Sequence, residues 1–187
     1  MKLIYSKIWN LAKPFYKKGR AMDIEHIKWM MKDAEFVCKK EKLDDSLLLP
    51  LVIIHDVGYA GIKGNSFNKN LRKTHMKAGA IIAENILEKV KYPKQKIKKI
   101  VKYVSIHDNW AFGQNSIYKD KILGTFNDLD FIWMATPKGF PALRKILKKN
   151  KKEMIDYIRN DDKPTKIPFK NKTTKLLFKK YLENLSR

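Results

Sequence analysis

Apolar residues recur along this chain at intervals of three and four, the spacing of one face of an α-helix, and nowhere sustain the alternation of a strand. Residues 3–18 carry a short amphipathic pattern that stops near Gly19 and predicts a helix packed on the domain rather than laid on a membrane surface. Asp23 stands where an N-cap belongs, ahead of a helix to about residue 41 with Ile24, Ile27, Met31, Ala34 and Cys38 on one face. The next run, SLLLPLVIIHD, follows the candidate caps Asp44 and Asp45 and is apolar all round, which predicts the central buried helix. Pro50 falls within its first two turns, where a proline does least harm if the helix starts late.

From Gly58 to Arg72 the chain is rich in Gly and Asn and reads as a long loop, the kind that carries function in a small domain. Helices follow at about 74–91, 94–108 and 119–135. Pro137, Gly139 and Pro141 then break the chain before a charged helix at about 142–159. A loop rich in Asp, Lys and Pro precedes a last helix at about 173–186. The expectation is an all-α fold, a compact bundle of about six to eight helices.

At 187 residues the chain fits one domain with a real core. It has no apolar run of the roughly 18 residues a membrane span needs. The N-terminal stretch MKLIYSKIWNLAKPF is broken by Lys7, Asn10 and Lys13 and lacks a secretory h-region, so a cytoplasmic location is the default expectation. The lone cysteine, Cys38, continues an apolar stripe and reads as a core thiol rather than a nucleophile.

A formal charge of +22 points to anionic partners. The excess is nearly all lysine, spread along the chain, with arginine only at Arg20, Arg72, Arg144, Arg159 and Arg187. Arginine is the usual reader of base edges and bidentate partner of phosphate, so nucleic acid is the less favoured partner and a small anionic substrate the better one.

The four histidines change the picture. His26 lies at the edge of its helix's apolar stripe; His55 extends the buried run Leu48, Val52; His75 begins a stripe with Gly79, Ile82 and Ile86; His107 ends the stripe Ile97, Ile100, Val104. Asp56 and Asp108 stand beside two of them. A carboxylate in an apolar helix is costly unless paired or bound to metal, and one shared site is more economical than four separate structural roles. Imidazole and carboxylate together suit iron, manganese, nickel, cobalt or zinc better than calcium or magnesium.

With His26, then His55-Asp56 inside LVIIHDVGY, then an aspartate inside FNDLDFIWM, the sequence resembles the HD-domain superfamily of metal-dependent phosphohydrolases. The resemblance spans about residues 20–136. It implies a single HD-type domain over 1–187, with the metal-binding core at 20–136 and the segments 1–19 and 137–187 as additions. A subset of the superfamily adds two histidines and a second metal; His75 and His107 fall where those would be. The resemblance thus implies one or two divalent transition metals held by His26, His55, Asp56, His75, His107 and Asp128, with Asp56 bridging. Asp130 lies two residues beyond Asp128, and helical phase does not choose between them.

The reaction implied is hydrolysis of a phosphate ester of a nucleotide or related small compound by a metal-activated hydroxide. Asp56 and Asp108 are the candidate catalytic carboxylates, Asp108 as hydrogen-bond partner of a histidine or as proton carrier. Many relatives read H-D-x-G-K, and Tyr59 replaces that lysine here. Lys63, Arg72, Lys73 and Lys77 are the substitutes expected to hold substrate phosphate, with Lys69 nearby. Two alternatives follow from the same residues: a di-iron oxygenase of HD type, and a non-catalytic, metal-stabilised module that binds nucleic acid. Oligomeric state has no signature here.

Overall fold

The computed structural model describes residues 2–62 and 68–186. Asp44 opens the helix that organises the rest: its side chain accepts from the Ser46 amide, and Leu47–Ile54 is buried without a break. This helix, α3 (Asp45–Ile54), is wrapped by α1 (Leu3–Lys18), α2 (Asp23–Glu41), α5 (Lys94–Val104) and α6 (Lys121–Ile132). Pro50 cannot donate to the Ser46 carbonyl one turn back. That carbonyl is taken instead by the Tyr92 hydroxyl at 2.8 Å, so the proline leaves no buried acceptor orphaned. Tyr16 similarly donates to the Ile53 carbonyl at 2.7 Å and ties α1 to the C-terminal end of α3. With Tyr5, Ile8, Ala12 and Tyr16 buried, α1 takes the packing option and not the membrane one.

The all-helical expectation holds among the described residues, but the count does not: ten α-helices replace six to eight. The expected helix at 142–159 is two, α7 (Gly139–Leu147) and α8 (Lys151–Arg159). Lys148 turns left-handed at φ 52° and Asn150 starts α8 with a capping box to Glu153. Pro141 lies inside the first turn of α7, where its missing N–H costs nothing, instead of breaking the chain. A single turn, α9 (Asp162–Thr165), capped by Asp161, interrupts the expected Asp/Lys/Pro loop before α10 (Lys172–Ser186). The helix α4 (Lys69–Lys89) starts five residues earlier than its pattern predicts, because Asn68 accepts from the Asn70 and Leu71 amides. Asp23 is the first residue of α2 rather than its cap, and its side chain serves another purpose described below.

One apolar cluster lies around α1–α6 and a smaller one joins Ile132 and Ala135 to Phe140, Met154, Ile158 and Phe178. Leu177 of α10 touches both. No helix among the described residues is long and apolar enough to cross a membrane.

Gly58, in the 3₁₀ turn after α3, fixes how α4 approaches. A methyl group there would stand 1.9 Å from the His75 carbonyl oxygen and 2.5 Å from the Gly79 amide, so the main chain of α4 can close on the turn only over a glycine.

Candidate metal centre

Four helices and the turns that follow them bring the histidines together, and all four are buried. His55 follows α3 directly, and His107 comes three residues after the end of α5. Their Nδ1 atoms lie 3.0 Å from the Val52 carbonyl and 2.8 Å from the Val104 carbonyl. A carbonyl can only accept, so Nδ1 carries a proton in both rings, and Nε2 is left facing inward as the atom a metal would take in place of a second proton. Phe126 of α6 packs edge-on against both rings and holds their planes.

Asp56 sits between two groups of histidines. Its Oδ2 is 3.5 Å from His55 Nε2, while its Oδ1 is 3.3 Å from His75 Nε2 and 3.4 Å from His107 Nε2. Donor atoms of His26, His55 and Asp56 lie within 4.8 Å of one another, as do those of Asp56, His75 and His107. Two trios therefore share one carboxylate. Among the described residues, His26 Nε2 and His55 Nε2 are buried without a hydrogen-bond partner. Asp130 Oδ1 is 3.1 Å from the first of them, but without the alignment of a hydrogen bond. Unpaired imidazole lone pairs around a carboxylate fit a divalent transition metal.

The electrostatics agree. Burial disfavours ionisation of Asp56, yet His55, Arg20 and His107 hold its carboxyl well below the usual range. Burial also opposes Asp130, which His26 and His55 keep below its ordinary value. Burial pulls the His55 imidazolium down, but Asp56 and Asp130 outweigh it and raise the group to about 9. His107 is raised likewise against its burial, chiefly by Asp56 and Asp108.

A stability change follows for metal-stripped protein. A histidine whose folded pKa exceeds its unfolded value of about 6.5 stabilises fully below 6.5 and loses that contribution as pH rises through the folded value. Denaturant titrations of chelated protein should therefore show stability falling between about pH 6.5 and 9, by on the order of 3 kcal/mol. Metal competes with the same proton, so metal affinity should rise over that window.

The structure corrects one expected ligand. Asp128 is fully buried away from the histidines: Lys163 Nζ is 2.5 Å from its Oδ1, while the Lys170 amide and the Thr174 hydroxyl both donate to its Oδ2 at 2.6 Å. Two residues on, Asp130 turns to the other side of α6, where its Oδ1 lies 3.1 Å from His26 and 3.9 Å from His55. Two residues are some 200° around a helix, so the two carboxylates cannot both face the cluster.

Asp108 is buried, accepting from Arg72 Nη1 at 2.8 Å and from Trp110 Nε1 at 3.1 Å. Its Oδ2 is 3.8 Å from His75 Nε2, too far for the hydrogen bond expected of it. The cluster borders a cavity of about 980 Å3 whose wall includes His26 and Asp56 together with Arg20, Lys69, Arg72, Trp110 and Lys163. Of the other basic residues expected at substrate, Lys73 and Lys77 are exposed and outside that wall, Lys73 lying 4.9 Å over the Phe112 ring. Lys63 lies outside the described residues. Arg20, which no periodicity singled out, donates to Asp56 Oδ2 at 2.9 Å and to both Asp23 oxygens at 2.8 Å.

An all-helical domain with His26, His55, His75 and His107 gathered around one aspartate, Asp56, at the wall of a cavity belongs to a recognisable class. The family model for the HD domain matches residues 23–160, and the chain belongs to that family. Neither the curated proteins nor the solved structures provide a match. The match begins after α1 and Arg20 and ends before α9 and α10, so the cavity wall draws on residues from both sides of it.

Proposed function

We propose that this chain is a metal-dependent phosphohydrolase with a binuclear centre, cleaving a phosphate ester of a nucleotide or related small phosphate compound. The observation that carries the reading is the position of Asp56, one carboxylate shared by two histidine trios. His26, His55, Asp56 and Asp130 would hold one metal, and Asp56, His75 and His107 the other. Bound there, two divalent cations would neutralise phosphoryl oxygens and make water a nucleophile at neutral pH.

The chain's own residues supply the rest. Nδ1–H bonds to main-chain carbonyls lock His55 and His107 as ligands before any substrate arrives. Arg72, held by Asp108 and lying 4.7 Å over the Trp110 ring, presents positive charge to an anionic group in the cavity. Asp108, buried and already accepting two hydrogen bonds, acts as the positioning carboxylate of Arg72.

The test is elemental analysis of protein purified without chelator, followed by a screen of phosphomonoesters and nucleotides with manganese, iron, cobalt, nickel and zinc. About two metals per chain with phosphate release is the expected result. One metal would reduce the centre to the first trio. Two irons with turnover only under oxygen would replace hydrolysis with oxygenase chemistry. Salt-sensitive nucleic-acid binding without turnover on any phosphoester would favour the non-catalytic reading.

A further inference from the structure

Arginine is scarce in this chain, five of 41 basic residues, yet two of the five line the cavity beside the candidate metal centre. Arg20 reaches it from the turn between α1 and α2, and Arg72 from the first turn of α4. Each guanidinium is held in the same manner. Arg20 grips Asp23 through Nε and Nη2, touches Asp56 Oδ2, and lies 4.1 Å over the Tyr59 ring. Arg72 grips Asp108 and lies over Trp110. A guanidinium fixed by a carboxylate and an aromatic face has already given up its rotamer freedom, which is what a rigid anion clamp requires.

Arg20 also has capacity left over. A guanidinium carries five N–H donors. Nε and Nη2 account for three of them, in the bonds to Asp23 and Asp56. Nη1 holds the remaining two and donates to none of the described residues. The side chain is 27% exposed, on a residue of the cavity wall. The two Nη1 hydrogens lie in a guanidinium plane already fixed by Asp23 and Asp56, so they offer oxygens of a phosphoryl group a preset direction that the freely rotating ammonium of lysine does not.

We propose that Arg20 is a phosphoryl-binding residue, its Nη1 edge taking oxygens of the substrate phosphate at the metal centre while Arg72 takes the group from the other side. The inference rests on the phosphohydrolase reading for its ligand, and it assigns that role to a residue outside the matched family segment. Asp23 is then the positioning residue that fixes the Arg20 plane, which accounts for its burial at the start of α2.

The experiment is calorimetric titration of inorganic phosphate into metal-loaded wild type, Arg20→Lys and Arg20→Met, with metal content measured on the same samples. Phosphate affinity should fall about tenfold in Arg20→Lys and about 100-fold in Arg20→Met, with metals per chain unchanged. Should Arg20→Met fail to fold, Arg20→Lys decides alone, since it keeps the charge and removes the planar fork. Phosphate binding within about twofold of wild type would overturn the proposal, as would losses that merely track lost metal, or a wild type that binds no phosphate. Hydrolysis by a chain whose phosphate affinity ignores Arg20 would sink this inference and leave the hydrolase reading standing. Arg20-dependent phosphate binding without hydrolysis of any ester would do the reverse.

Discussion

Asp56→Ala will leave the chain without its full complement of metal and lower phosphoester hydrolysis by roughly 10³-fold or more, the scale on which removal of one central group acts in other active sites. The expectation follows from the carboxylate's double duty. Each of its oxygens lies 3.3–3.5 Å from histidine nitrogens of a different trio, so truncation takes an anionic ligand from both at once. Arg20 would also remain beside four convergent imidazoles with less negative charge to balance it, which disfavours any incoming cation. Elemental analysis and initial rates on the same preparation make the check. His75→Ala and His107→Ala are narrower, since the first trio stays whole: about one metal per chain should remain. An Asp56→Ala protein that keeps two metals and full turnover would place the chemistry elsewhere.

The second large effect separates two aspartates two residues apart on opposite sides of α6. Asp130→Ala should weaken metal binding and activity and leave the fold intact, because its carboxylate is 25% exposed at the cavity and its ion-pair partners among the described residues are His26 and His55. Asp128→Ala should do the opposite. It strands the Lys163 ammonium, which is buried and keeps only neutral partners among the described residues, Asn127 Oδ1 at 2.9 Å and the Phe169 ring at 5.6 Å. It also removes the acceptor of the Lys170 amide and leaves the Thr174 hydroxyl with the Asn171 carbonyl at 3.0 Å. Breaking one side of a buried ion pair costs about 3–5 kcal/mol. Thermal and denaturant unfolding should register that cost, with metal content preserved in whatever protein remains folded. Metal loss from Asp128→Ala at unchanged stability would reverse the assignment.

That pair also marks where the sequence stopped being readable. The inward placement of His26, His55, His75 and His107 was visible because each continues an apolar stripe, and the stripe fixes a direction in space. Asp128 and Asp130 both have apolar neighbours three and four residues away, for α6 is buried between the two apolar clusters and has no single inner face. What separates them is Lys163, Lys170 and Thr174, all from a distant segment whose docking no local pattern records. Arg20 escaped for another reason: it sits on a turn, where periodicity has nothing to say. Its rarity among so many lysines was the signal available. The divided helix at 142–159 hinges on Lys148 in a left-handed conformation that sequence ordinarily assigns to glycine or asparagine. Asn150 with Glu153 three residues later was a readable capping box, overshadowed by the continuity of charge on either side.

The contact at Gly58 has a bearing on how such a domain can diversify. There the peptide carbonyl of His75 and the amide of Gly79 rest against a residue with no side chain, two positions after Asp56. The approach of α4, and with it of His75, to the turn beside Asp56 is thus set by main chain against main chain. Gly79 is the looser partner, since a methyl there would meet the Val104 side chain at 3.3 Å, a neighbour able to yield slightly. A lineage descended from this chain could recast its cavity wall at the first turn of α4, or in the turns before α2 and after α8, while inheriting that approach unaltered. Gly58 is the position at which that freedom ends.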